Sequence, residues 1–200
     1  RDTLDTPDTR DTLEQYKAKI MNKIILPLWI VASFGLLLYS FTQVDLSLTL
    51  SQVSIWQGIQ KFFQQIGYFN RPFSTLLFLV IVGIMFVLYV VTLNLVQKGL
   101  LKQKILWKII ISLSVILFFS YNAFSYDLFN YIFDAKIVTY YGQNPYEHKA
   151  LDYPSDPMLS FMHWTHRAYP YGPIWLLLTV PLSFIGFGYF LLTFYLFKLL

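Results

Sequence analysis

Four residues in the middle of the chain have types and spacing that could carry chemistry. Asp127, Asn130, Tyr131 and Asp134 recur at i, i+3, i+4 and i+7, so a helix over Asp127 to Lys136 places them on one face. Leu128, Phe129, Ile132 and Phe133 fall between them and make the opposite face. A carboxylate at a membrane boundary can have its pKa raised by partial desolvation, which suits proton transfer. Asp127 directly follows a long uncharged run, where an ionisable group costs free energy unless it is paired, solvated or bound to something. A solvated helix start is the other reading, because Asp in a first helical turn is favoured by the macrodipole.

Further cationic and histidine side chains lie downstream. His163 and His166 stand three apart and on a helix could ligate a divalent metal together with Asp152 or Asp156; without a fixed third ligand they also read as polar loop residues. Arg167 and Lys149 suit a phosphate better, since a guanidinium makes bidentate contacts to phosphate oxygens. Gly142 can end the helix in a left-handed conformation, and Asn144-Pro145 forces a turn. Tyr171, in the run Tyr169 to Pro173, reads as a binding residue as well as part of an aromatic belt.

What must position these residues is a membrane scaffold. The chain is 56% hydrophobic and 20% aromatic but only 13% charged, well below the share in globular domains. It has no cysteine, which removes disulfides and Cys-ligated metals, so any metal would need Asp, Glu or His. The net charge of +4 comes from basic residues beside apolar runs, not from a basic face interleaved with aromatics, so nucleic acid is not an expected partner.

Residues 1–20 form an Asp/Thr near-repeat that reads as disordered, loosely helical or a non-native extension before Met21. Residues 21–200 read as one all-α integral membrane domain. Five transmembrane helices are expected, over about 24–44, 72–97, 109–126, 171–185 and 188–200, with the last unfinished at Leu200. Amphipathic helices lying in the interface are expected in two extracytoplasmic loops, 45–71 and 125–170. Lys17, Lys19 and Lys23 before the first run, and Lys98, Lys102, Lys104 and Lys108 after the second, place both ends and the N-terminus in the cytoplasm. The loop holding Asp127 then faces outward, away from nucleotide pools.

Three blocks, SYDLFNYIFDAK, GQNPY and YPYGPIW, follow one another in this loop. Together they resemble the polytopic GT-C glycosyltransferases, and among them the bacterial polyprenyl-phosphate-mannose-dependent mannosyltransferases. The resemblance maps the family's D-x-x-x-Y onto Asp127 and Tyr131, its G-x-N/D-P-Y turn onto Gly142, Asn144, Pro145 and Tyr146, and its final block onto Tyr169 to Trp175. It implies the N-terminal half of a GT-C fold in a bacterial-type plasma membrane. It further implies an inverting transfer of a mannose-like hexose from a polyprenyl-phosphate carrier to a glycan or glycolipid acceptor outside. On that resemblance Asp127 is the general base on the acceptor hydroxyl, Asp134, one heptad on, orients the acceptor or a metal, and Tyr131, Asn144, Tyr146 and Tyr171 bind donor or acceptor, joined by the phosphate candidates Lys149 and Arg167. The alternative is a non-catalytic membrane protein, either a lipid-linked sugar flippase or an accessory subunit.

Overall fold

The structure, a computed structural model, describes residues 9–123 and 125–200, with the side chains of 9–15 and 17 left out. Seven α-helices occur among the described residues, with no strand: α1 Thr9–Ser40, α2 Ser54–Phe69, α3 Arg71–Gln97, α4 Gln103–Phe118, α5 Asp127–Thr139, α6 Pro173–Ile185 and α7 Phe190–Phe197. Short 3-10 turns lie at Phe41–Gln43, Ala150–Asp152 and Pro157–Ser160. α1 takes in Thr9 to Ile20, part of the stretch read from sequence as unfolded or loosely helical; the rest of that reading, residues 1–8, lies outside the described residues.

Two segments are long and apolar enough to cross a membrane, Ala18–Gln43 and Arg71–Gln97. The other three expected spans are realised as shorter helices. α4, α6 and α7 have 16, 13 and 8 residues, which at about 1.5 Å per residue gives roughly 24, 20 and 12 Å. The third starts six residues earlier than expected and stops at Phe118 instead of Tyr126. There the Ser120 hydroxyl donates to the Leu117 carbonyl at 2.6 Å and draws off an acceptor that a further helical turn would need.

The chain divides into two compact units. The first, Arg1–Tyr39 with Pro72–Ser120, packs Ile25, Trp29, Ala32, Leu88, Leu101 and Ile109 into one core. Polar side chains inside it are paired across helices, as low-dielectric surroundings demand. Trp29 Nε1 donates to Thr92 Oγ1 at 3.0 Å, and the Tyr39 and Ser74 hydroxyls meet at 3.2 Å.

The second unit, Ser40–Arg71 with Tyr121–Leu200, holds the chemistry-bearing loop. Its α2 matches the amphipathic helix expected between Asp45 and Arg71, but with inverted polarity. Ile55 and Phe62 are 78% and 60% exposed while Gln60 and Gln64 are buried. The glutamines face the protein because they satisfy an irregular backbone: Gln60 donates to the Leu48 carbonyl at 2.7 Å and Gln64 to those of Val44 and Asp45 at 3.2 and 3.0 Å. Gly67 lets the helix approach this strip closely, since a Cβ there would lie 1.9 Å from the Thr42 carbonyl oxygen.

α5 is the centre of the second unit. Its helical span agrees with the sequence reading, but its surroundings differ from those of an isolated interfacial helix. It runs parallel to α6, with Tyr131 near Tyr171 and Trp175 at one end and the Thr139 and Ser183 hydroxyls 2.8 Å apart at the other. Phe129 also packs on Phe190 and Phe194 of α7, at ring distances of 6.1 and 6.2 Å. Gly142, at φ +66°, ends α5 in the expected left-handed conformation, and Gln143 N–H closes back on the Ile137 carbonyl at 3.0 Å. The returning segment is tied to itself by Tyr169 N–H to the Pro145 carbonyl at 2.9 Å, a bridge of Lys149 with Ala168, and Leu151 N–H to the Thr165 carbonyl at 3.1 Å. This return lays residues 162–170 over Asn130 and Asp134 on the polar face of α5 and leaves Asp127, at its start, partly exposed.

Candidate active site

Asp127 opens α5, its N–H bonded to the Ser125 hydroxyl at 3.2 Å, and 42% of its side chain is exposed. One turn on, Asn130 is buried, at 4% exposure, and neither its amide nitrogen nor its carbonyl oxygen has a hydrogen-bond partner. Asp134, another turn on, is also largely enclosed. Burial pushes its carboxyl up to about 7, against the opposing pull of the Arg167 guanidinium. Asn130, Asp134, Trp164 and Arg167 meet around a small cavity of about 10 Å³, close to the size of one water.

Arg167 ties this cavity to the mouth of α5. Its Nη2 lies 4.0 Å from Asp127 Oδ1 and donates to the Tyr171 hydroxyl at 3.3 Å. Its guanidinium carbon lies 5.5 Å from the Trp164 ring centre and 5.8 Å from that of Tyr171, a separation at which ring quadrupoles attract a cation. Trp164 reaches this place with φ at +56°, a left-handed backbone costly for a bulky residue and tolerated where the surroundings enforce it. Tyr131 meets Tyr171 and Trp175 edge to face at 5.0 and 5.3 Å. Burial first, then its contact with Tyr171, raise the Tyr131 phenol, so it stays a protonated donor.

The other sequence candidates take different parts. Tyr146 donates its hydroxyl to the Tyr171 carbonyl at 3.1 Å and packs on Tyr169, bracing the Tyr171 backbone. Asn144 is used by its own turn: Oδ1 accepts from Tyr146 N–H at 3.1 Å and Nδ2 donates to Glu147 at 2.9 Å. Lys149 contributes its backbone, through the bridge to Ala168 beside Arg167, while its side chain is exposed. His163 and His166 do not share a helix face, because the chain around them is non-helical and turns at Trp164. His163 lies flat against Tyr126, with ring centres 4.0 Å apart, and His166 lies near Trp164. Among the described residues no three His, Asp or Glu side chains converge as a metal-binding set.

Asp156, weighed from sequence as a metal ligand, instead forms an ion pair with Lys136 and accepts from the Tyr141 hydroxyl at 2.7 Å. Burial would raise its carboxyl, but hydrogen bonds from Lys136, the Met158 N–H and Tyr141 outweigh it and hold the carboxyl below its ordinary range. Lys136 also lines a cavity of about 540 Å³ with Ile132, Phe161, Phe184 and Phe190. Sequence reasoning missed this pair. Its signal was Lys136 as the lone cation of a buried helix, which calls for an acid nearby.

Two carboxyls, a guanidinium, two phenols and an unsatisfied amide are therefore linked, directly or through one neighbour, to Arg167. Such a set can accept a proton, hold sugar hydroxyls and neutralise a phosphate. Residues 30–200 match the family model described as alpha-(1->6)-mannopyranosyltransferase, N-terminal domain. The chain belongs to this mannosyltransferase family. The resemblance to the N-terminal part of a GT-C-like mannosyltransferase, read from the three blocks, is thereby borne out. No curated protein and no solved structure matches the chain. Family membership and the two long apolar helices together indicate a membrane-associated glycosyltransferase.

Proposed function

We propose that the chain carries the reaction centre for mannosyl transfer from a polyprenyl-phosphate carrier to a sugar acceptor on the extracytoplasmic side. The observation that supports this most is Arg167 placed between Asp127 and Tyr171, with Asp134 and Asn130 behind it. Asp127, the more open carboxylate, takes the proton of the acceptor hydroxyl. The acceptor oxygen then bonds to the anomeric carbon, the bond from that carbon to the phosphate oxygen breaks, and its electron pair leaves on the phosphate. Arg167, helped by the Tyr171 hydroxyl, neutralises that charge, and in-line displacement inverts the anomeric centre. The alpha-(1->6) linkage in the family's description supports the primary 6-hydroxyl of a sugar as the acceptor group. Asp134, behind Arg167, helps to orient this acceptor. The lysines beside Ala18–Gln43 and after Gln97 support a topology with this loop outside.

A second reading gives the base role to Asp134, favoured by its carboxyl at about 7, near the operating pH of a general base. The rate against pH distinguishes the two, because Asp134 as base makes activity rise to a plateau only above about pH 7. The donor class is tested by supplying the protein, in membranes, with mannosyl-phosphoryl-polyprenol or with a nucleotide-linked mannose. Transfer from the lipid alone supports the proposal; transfer from the nucleotide sugar without lipid overturns it.

A further inference from the structure

The first unit carries a basic cavity that the reaction at the Arg167 centre does not use. It is an open cavity of about 550 Å³ flanked by Lys19, Lys23 and Lys102, with Asn22 and Gly99 between them. It lies where both long apolar segments end, at the start of Ala18–Gln43 and just past Gln97. The positions of the lysines are set by a polar clasp. Asn22 Nδ2 donates to the Ala18 and Leu100 carbonyls at 2.8 and 2.7 Å, and its Oδ1 accepts from Lys102 N–H at 3.3 Å. Gly99 turns the chain at φ +67° to bring the loop back onto α1. No Asp or Glu occurs between Gln15 and Val44, or between Arg71 and Tyr126, so no carboxylate of these segments competes for the lysines.

A mainly apolar cavity of about 220 Å³ adjoins the basic one and shares Ala18 and Leu100 with it, continuing along Met21, Val91 and Leu95, with Asn94 and Lys98 also on its wall. Cationic side chains beside a mainly apolar continuation are the outline of an anionic phospholipid site. We propose that this pair of cavities binds an anionic phospholipid, its phosphate among Lys19, Lys23 and Lys102 and the first part of an acyl chain between Met21, Val91 and Leu95. A flexible ammonium suits a headgroup of variable geometry better than a rigid fork does. Basic pockets between membrane helices recognise anionic headgroups in the same way. A soluble phosphate metabolite would use the lysines but leave the apolar continuation empty.

The test uses the purified protein in an uncharged detergent, titrated with phosphatidylglycerol, with phosphatidylcholine of the same chains, or with inorganic phosphate. Retained lipid is read by native mass spectrometry and thermal stabilisation by a melt. Phosphatidylglycerol should bind and stabilise, and the other two should not. Each of K19Q, K23Q and K102Q should lose about fivefold in affinity and the triple variant on the order of a hundredfold. K108Q, outside both cavities, should behave as wild type. Because the lysines are exposed, the variants should melt like wild type without lipid, and the single variants keep the test readable if the triple one does not. Equal binding of phosphatidylcholine, equal stabilisation by inorganic phosphate, or full phosphatidylglycerol affinity in K19Q/K23Q/K102Q would each overturn the proposal.

Discussion

Asp134→Asn is a perturbation whose effect on stability should reverse the usual expectation for a candidate site residue. The Asp134 carboxyl stands at about 7 against an ordinary 3.8, with burial as the main cause. When an acid's value is raised on folding, the folded form holds its proton more tightly than the unfolded chain does. Stability is then greatest below about pH 4, falls as pH rises through the window between 3.8 and about 7, and is level above it. At 1.36 kcal/mol per pH unit the loss totals about 4 kcal/mol. Asn has nearly the same shape and no proton to lose, so Asp134→Asn avoids that loss. The variant should match wild type within about 1 kcal/mol at pH 4 and be more stable by up to about 4 kcal/mol at pH 8. Denaturant unfolding in detergent at the two pH values measures this directly. A variant less stable than wild type at pH 8, or a difference that does not change with pH, would refute the burial argument and mean that Arg167 holds the carboxylate ionised. Mannosyl transfer by the same variant should fall, as in other sites where strain on a buried group serves function.

Two other substitutions separate binding from folding. Arg167→Ala should raise the Michaelis constant for the lipid-phosphate donor by about 10- to 150-fold, the equivalent of one charge-assisted contact of about 1.5 to 3 kcal/mol. Its melting should shift little, because the pairing with Asp127 at 4.0 Å is partly exposed; an unchanged constant would remove Arg167 from the donor site. Gly67→Ala places a methyl 1.9 Å from the Thr42 carbonyl oxygen, a backbone atom that cannot swing aside. It should cost about 1 to 3 kcal/mol in unfolding measurements, and a neutral result would mean that α2 is not held against Phe41–Gln43.

The sequence carried local features better than contacts between distant segments. The start of α5 at Asp127, its end at Gly142 and the long helices over Ala18–Gln43 and Arg71–Gln97 follow from charge gaps, periodicity and glycine chemistry, all of which act within a few residues. Asp127 and Tyr171 were singled out through the family resemblance and Arg167 through its phosphate chemistry, but spacing could not bring them together, since more than 30 residues separate the two acids from Arg167 and Tyr171. The burial of Asn130 was not legible, because the cover comes from Met162 to Pro170, whose return depends on backbone ties such as Tyr169 to Pro145. The expected His163 and His166 pair failed for a related reason: the i, i+3 argument assumes a helix, and the backbone at Trp164 turns left-handed. The inward glutamines of α2 show the limit of amphipathicity, which locates a polar face without saying whether water or unpaired carbonyls lie opposite it.

The central claim is that the carboxylate beside Arg167 at the mouth of α5 takes the acceptor proton during mannosyl transfer, and Asp127→Asn tests it most directly. Asn keeps the size and most of the hydrogen bonding of Asp but cannot accept a proton at neutral pH. With mannosyl-phosphoryl-polyprenol as donor, the variant should insert into membranes and bind donor as wild type does, yet transfer sugar on the order of a hundredfold or more slowly. Transfer by Asp127→Asn at the wild-type rate would contradict the claim.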